Sequence, residues 1–141
     1  MRKALIIVLT CSDFRFQNAL FEYLSGRGVG GEVEYIAIHG ASKTLTQPRS
    51  PSEKDWVLQM LHTIKARNTL AKLLLIHHRD CDAYGGSKLF DNSATEFQRH
   101  ANEMKVAKEI IKESIPNLEV ETLFADCDSE VSEGSICFKD T

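Results

Sequence analysis

Four short runs of aliphatic and β-branched residues alternate with segments whose apolar residues recur at helical spacing. Nothing else in the 141-residue chain constrains its fold as much. Ala4–Thr10 and Ala71–Ile76 are aliphatic almost throughout, the pattern of strands covered on both faces. Val33–Ile38 and Glu119–Ala125 read as two further strands, and Ile136-Cys137-Phe138 as a short edge strand. Phe16–Arg27 carries Phe16, Leu20, Phe21 and Leu24 at helical spacing and runs into the glycines of 26–31, which stop helices. A polar loop is expected over 39–51. Ser52-Glu53-Lys54-Asp55 then resembles a capping box, opening a helix with Trp56, Val57, Met60, Leu61 and Ile64 on one face. A long helix with Phe97, Ala101, Met104, Ala107, Ile111 and Ile115 on its buried stripe ends before Pro116.

Strand–helix alternation of this kind predicts an α/β fold: a mostly parallel, four- to five-stranded sheet with helices on both faces. Right-handed crossovers then align the carboxyl ends of the parallel strands along one edge, outside which open α/β sheets bind ligands. The residues at those ends are Cys11-Ser12-Asp13, His39, His77 with His78 and Cys81, and Asp126-Cys127-Asp128. Polar, metal-capable side chains therefore collect where a site is expected.

The length suits one domain, residues 1–141, with a core that needs no disulfide staples. Its formal charge of −3 disfavours nucleic acid and anionic membrane as partners. No apolar run approaches the roughly 20 residues that span a bilayer. Arg2 and Lys3 before the first apolar run superficially resemble a secretion signal. The run is too short and no small-residue cleavage site follows, so the chain is expected to be cytoplasmic. Cys11, Cys81, Cys127 and Cys137 are then thiols or metal ligands rather than disulfides.

His78-Arg79-Asp80-Cys81 places an imidazole and a thiol three residues apart, and Cys11 at another strand end offers a third ligand of the kind zinc prefers. Asp13, two residues on, is close enough to reach the metal or its water. Arg15 presents a planar fork of donors that matches a carboxylate. With Asp13 on Arg15 the site is open; with Asp13 on the metal it is closed.

Cys11-Ser12-Asp13-Phe14-Arg15 resembles the Cys-x-Asp-x-Arg motif of β-class carbonic anhydrases, and His78-Arg79-Asp80-Cys81 their His-x-x-Cys motif. Each motif alone is weak; in this order, at the ends of the first and third strands, the two are specific. The resemblance covers roughly residues 4–125. It implies that Cys11, His78 and Cys81 bind Zn2+ and that Asp13 and Arg15 form a catalytic dyad. It also implies reversible hydration of carbon dioxide to bicarbonate, in a homodimer or higher homo-oligomer with the site near the subunit boundary. Two thiolate ligands predict activity that rises toward alkaline pH. His39, His77 and Asp82 are candidates for proton transfer by position. Relatives that hydrolyse CS2 or COS with the same metal chemistry, a non-catalytic zinc protein and a thiol redox protein are the competing readings. The last lacks any Cys-x-x-Cys.

The chain departs from the family pattern in two places. His39-Gly40-Ala41-Ser42 stands where Arg-Asn-Ala-Gly is usual, and Asp82 replaces a glycine after the second cysteine. Simpler roles are expected elsewhere. Cys127 and Cys137 read as packing residues, His62 and His100 as solvent-facing helix residues, and Asp126, Asp128, Glu130 and Glu133 as a solvated acidic face. His77, next to a ligand on a strand, should point away from the site. The glycines of 26–31 follow a helix rather than a strand, which argues against a phosphate loop.

Overall fold

The computed structural model describes residues 3–28, 31–126 and 136–141. Cys127, Asp128, Glu130 and Glu133, for which packing or solvated roles were expected, lie outside the described residues, as does Gly30 of the glycine stretch. Among the described residues, five strands form one sheet: β1 (Ile6–Thr10), β2 (Val33–Ala37), β3 (Lys72–His78), β4 (Val120–Asp126) and β5 (Cys137–Asp140), in the order β2-β1-β3-β4-β5. The first four are parallel and β5 runs antiparallel to β4, so the expected α/β architecture is present. No helix of the described residues is long and apolar enough to cross a membrane.

Alternation along the two central strands sorts the core. Ile7, Leu9, Leu73 and Leu75 face one side, packed by Leu45 of α2 (Lys43–Thr46), Val57 and Leu61 of α3 (Pro51–Arg67), and Met104 and Ile111 of α4 (Ser93–Ser114). Ile6, Val8, Leu74 and Ile76 face the other side, packed by Leu20 and Leu24 of α1 (Gln17–Gly26). Neither β1 nor any of Leu73–Ile76 is more than a few per cent exposed, which is why these strands read as continuous apolar runs.

Several expectations need correction. The cap of α3 is Ser50, whose Oγ accepts from Glu53 N, with Pro51 in the first turn; the predicted box starting at Ser52 lies two residues too late. Trp56 is 56% exposed, because Val57, Leu61 and Ile64 set the buried stripe. The segment 39–51 is not simply a polar loop: Ala41, Ser42, Thr44 and Leu45 are buried and part of it is α2. Cys137 is exposed on β5, not packed. His100, expected in solvent, is fully buried on the α4 stripe with Glu96 and Met104, whereas His62 is exposed as expected.

His100 and His77 form a buried pair on the α3/α4 side of the sheet. Their Nδ1 atoms are 2.8 Å apart, so one imidazole donates to the other, and His77 Nε2 is hydrogen-bonded to Ser42 Oγ. Tyr84 and Phe124 pack against the His100 ring. Burial opposes charging: it pushes His100 down to about 4 and His77 well below its ordinary value. A base whose folded pKa is depressed takes up its proton more readily in the unfolded chain. Stability is therefore full above about pH 6.5 and lost as the pH falls below it. Between about pH 6.5 and 5, above most carboxylate titration, unfolding free energy should fall by up to about 1.4 kcal/mol per pH unit for each of the two imidazoles. His100→Phe, which fits the aromatic surroundings, should roughly halve that slope in denaturant titrations. Equal slopes in the two proteins would contradict it.

Candidate metal centre

β1 and β3 are neighbours in register, with Thr10 opposite Ile76. Cys11 follows the end of β1, and His78 is the last residue of β3, so the pairing alone brings a thiol and an imidazole to one point on the sheet edge. Cys81 lies three residues further, where the chain turns back and Cys81 O accepts from Tyr84 N and Gly86 N, both at 3.0 Å. Among the described residues, Cys11, His78 and Cys81 form a buried group whose ligand atoms all lie within 4.8 Å of one another. Both cysteines are free thiols.

Two contacts fix the His78 ring. Nδ1–H donates to Arg79 O at 2.8 Å, and Phe16 stacks on the ring with centroids 4.7 Å apart. Nε2 therefore carries the lone pair, and it is buried without a hydrogen-bond partner. A buried acceptor left unpaired is costly unless something binds it. Here it faces two sulfurs, and a neutral imidazole with two thiolates is a donor set that suits a thiophilic divalent cation. The donors fit such an ion on this ground.

The sulfurs are poised unequally. Cys81 Sγ lies 4.0 Å from Cys11 Sγ and donates to it, and Gly40 N–H donates to the same sulfur at 3.4 Å. The Cys81 and Gly40 contacts pull the Cys11 thiol far below its ordinary range, while the same bond to Cys11, together with burial, pushes Cys81 up. Gly40 can approach only as glycine: φ is +77° and a Cβ there would lie 2.8 Å from Ala83 Cβ.

Asp13 is the N-cap of a 3-10 turn, Phe14–Phe16, and its Oδ1 accepts from Arg15 N at 2.9 Å. The turn folds Arg15 back onto its own cap. Nε donates to both oxygens of Asp13 at 3.1 Å and Nη2 to Oδ2 at 2.7 Å. This guanidinium holds the Asp13 carboxyl below the usual carboxylate range. Gln17 Nε2 ties the strand exit to α1 by donating to Cys11 O and Asp13 O. Asp13 Oδ2 stands 3.9 Å from His78 Nε2, so the Asp–Arg pair abuts the Cys–His–Cys group.

A cavity of about 330 Å³ opens beside Cys11 and the Asp–Arg pair, lined by Cys11, Ser12, Asp13, Phe14, Arg15, His39 and Asp82. His39 and Asp82 stand 3.9 Å apart and largely in solvent at its rim. The Asp82 charge is thus spent in water rather than beside the ligands. His77, a third candidate for proton transfer, points to the opposite face of the sheet, as strand alternation requires. Sequence reading missed three supports: Gly40, Asp80 and Glu96. Glu96 left one signal, an acidic residue at position i−4 of a buried stripe continuing through 100 and 104.

A family model described as "Putative carbonic anhydrase" matches residues 1–134. An uncharacterized protein of Rickettsia conorii is 25% identical over 142 residues, covering 94% of this chain and 73% of its own. An uncharacterized protein of Rickettsia bellii is 23% identical over 142 residues, covering 94% and 83%. Among solved structures, one from a study of two tetrameric β-carbonic anhydrases of the filamentous ascomycete Sordaria macrospora aligns over 99% of this chain and 81% of its own, with 16% identity and a TM-score of 0.48. The family model spans nearly the whole chain, both motifs included, and the chain belongs to this carbonic-anhydrase-like family.

Proposed function

We propose that the protein is a zinc enzyme that interconverts carbon dioxide and bicarbonate. One observation carries this reading: an ionised Asp13, held by Arg15, faces a buried and unpartnered His78 Nε2 that is flanked by two thiols. A purely structural metal site needs no such carboxylate at its edge.

Cys11, His78 and Cys81 would hold the zinc. When bound, zinc supplies acidified water as the nucleophile that adds to carbon dioxide. The remaining work falls to side chains. Asp13 Oδ2, 3.9 Å from His78 Nε2, can accept a hydrogen bond from the attacking water and so orient it. Arg15 holds that carboxyl below the usual carboxylate range, which favours the acceptor form. Its grip also opposes movement of Asp13 onto the metal. Phe16, packed on His78, keeps solvent from the ligand's rear face. The cavity is of a size that suits a small substrate beside Cys11 and Asp13. His39 and Asp82, at its exposed rim, are placed to pass the released proton to solvent. Family resemblance further implies a dimer or an assembly of dimers. Phe14, 82% exposed at the cavity mouth, is the apolar side chain that a neighbouring subunit would cover.

The discriminating experiment is one preparation assayed for metal content and for turnover of CO2, COS and CS2. Stoichiometric zinc with CO2 hydration is expected; bound zinc without hydration at alkaline pH would overturn the enzymatic reading. Cys81→Ser should lose the metal by elemental analysis and, by linkage, lower the thermal midpoint. Asp13→Asn should keep stoichiometric zinc but lose about 100-fold in kcat, the scale of a lost orienting group. Full activity in Asp13→Asn would remove the dyad from the mechanism.

A further inference from the structure

Asp13 is not the only carboxylate that Arg15 holds. Its Nη1 donates to Asp80 Oδ2 at 2.8 Å, and Nη2 donates to Asp80 O at 2.8 Å. The guanidinium thus bridges two loops, with Asp13 on one edge and Asp80 on the other. The Arg15 side chain is 49% exposed, and a lone exposed ion pair holds a long side chain weakly. A second anchor therefore decides where this guanidinium rests.

Asp80 itself is fixed from behind. Its backbone is left-handed, with φ +59°, a conformation that aspartate and asparagine tolerate better than most side chains. Its Oδ1 accepts from Ser87 N at 2.8 Å. Its own N–H donates to Glu96 Oε2 at 2.8 Å. Glu96 is 1% exposed on α4, and also accepts from Arg79 Nη1 and Ser87 Oγ. A chain of contacts therefore runs from the core helix through Glu96, Asp80 and Arg15 to Asp13. Asp13 Oδ2 ends that chain 3.9 Å from the unpartnered His78 Nε2.

We propose that Asp80 is a positioning residue: by fixing Arg15 it keeps Asp13 on the guanidinium and off the metal, so that the site stays open. The proposal rests on the zinc reading above. It makes the open state a property of the Asp80–Arg15 contact rather than of the Asp13–Arg15 pair alone.

Two variants separate this role from a structural one. Asp80→Asn keeps the left-handed backbone and can keep the Ser87 contact while losing the charge that faces Arg15. Asp80→Gly keeps the backbone and its main-chain contacts to Arg15 and Glu96 but removes both side-chain contacts. The protein loaded with cobalt(II) reports the metal's ligands through its visible bands, independently of turnover. In at least one variant the bands are expected to move away from those of the parent as Asp13 joins the metal. Metal content should be unchanged, and kcat should drop about tenfold with KM unchanged, the signature of a closed fraction rather than of weaker substrate binding. The spectral shift should vanish when the same change is made in Asp13→Asn, which has no carboxylate to deliver. A shift in neither variant, or one that survives in the Asp13→Asn background, overturns the proposal. Failure of the zinc reading looks different: the parent protein itself takes up no stoichiometric metal.

Discussion

Parallel pairing of β1 with β3 at the centre of the sheet sets everything downstream of it. Both strands are buried on two faces, so their register is fixed by apolar packing and not by the polar residues that follow them. Polar chemistry can begin only where the strands end. Because the pairing is parallel, both ends fall on the same edge, and Cys11 is delivered beside His77 and His78 without any contact between them being needed to hold the fold. The core thus carries the energetic cost of gathering groups that would not gather by themselves. Two thiols and an imidazole with a bare lone pair, all buried, are poor company in the absence of a cation.

The consecutive histidines at the end of β3 show how finely this works. His78 faces the α1 side with the sulfurs and is left with an open nitrogen. His77 faces the α3/α4 side, where Ser42 and His100 occupy both of its nitrogens. Neighbours on a strand have opposite surroundings, and what separates a metal-capable histidine from a core histidine is whether the second nitrogen has a partner. Phe16 reinforces the distinction by stacking flat on the ring that must stay in place.

The alternation of strands and helices, the mostly parallel sheet and the gathering of Cys11, His78 and Cys81 at one edge were legible because they rest on period and position. Continuous apolar runs named the central strands, and the two motifs fell at their ends. What escaped was decided by contacts between segments. A serine two residues earlier won the cap of α3 because Pro51 suits the first helical turn. Apolarity alone points Trp56 inward, yet the stripe that meets the sheet passes one residue along. His100 looked like a surface residue because nothing in its own helix reveals that His77 waits across the interface. Cys11 is a subtler case. Strict alternation from Ile6 and Val8 would put Thr10 on the α1 side, but the chain leaves strand geometry after Thr10 and Cys11 packs there as well. Only the turn capped by Asp13, with Gln17 bonded to the Cys11 and Asp13 carbonyls, explains that swing.

The loop after β2 is where the chain departs most from the family pattern, and its contacts argue that the departure preserves the site. Gly40 lets the backbone pass within van der Waals reach of Ala83 and aim its N–H at Cys11 Sγ, a bond that favours the thiolate form. Ala41 then takes a positive φ of 47°, which turns the next side chain inward. Ser42, where a glycine is usual, uses that turn to close the hydrogen bonding of His77 on the far face of the sheet. One short segment thereby serves both faces, holding a sulfur on one and satisfying an imidazole on the other. A loop released from the demands of the site would have no reason to keep a left-handed glycine against Ala83 together with a buried serine under His77. The altered residues are better understood as a different way of bracing the same two strand ends.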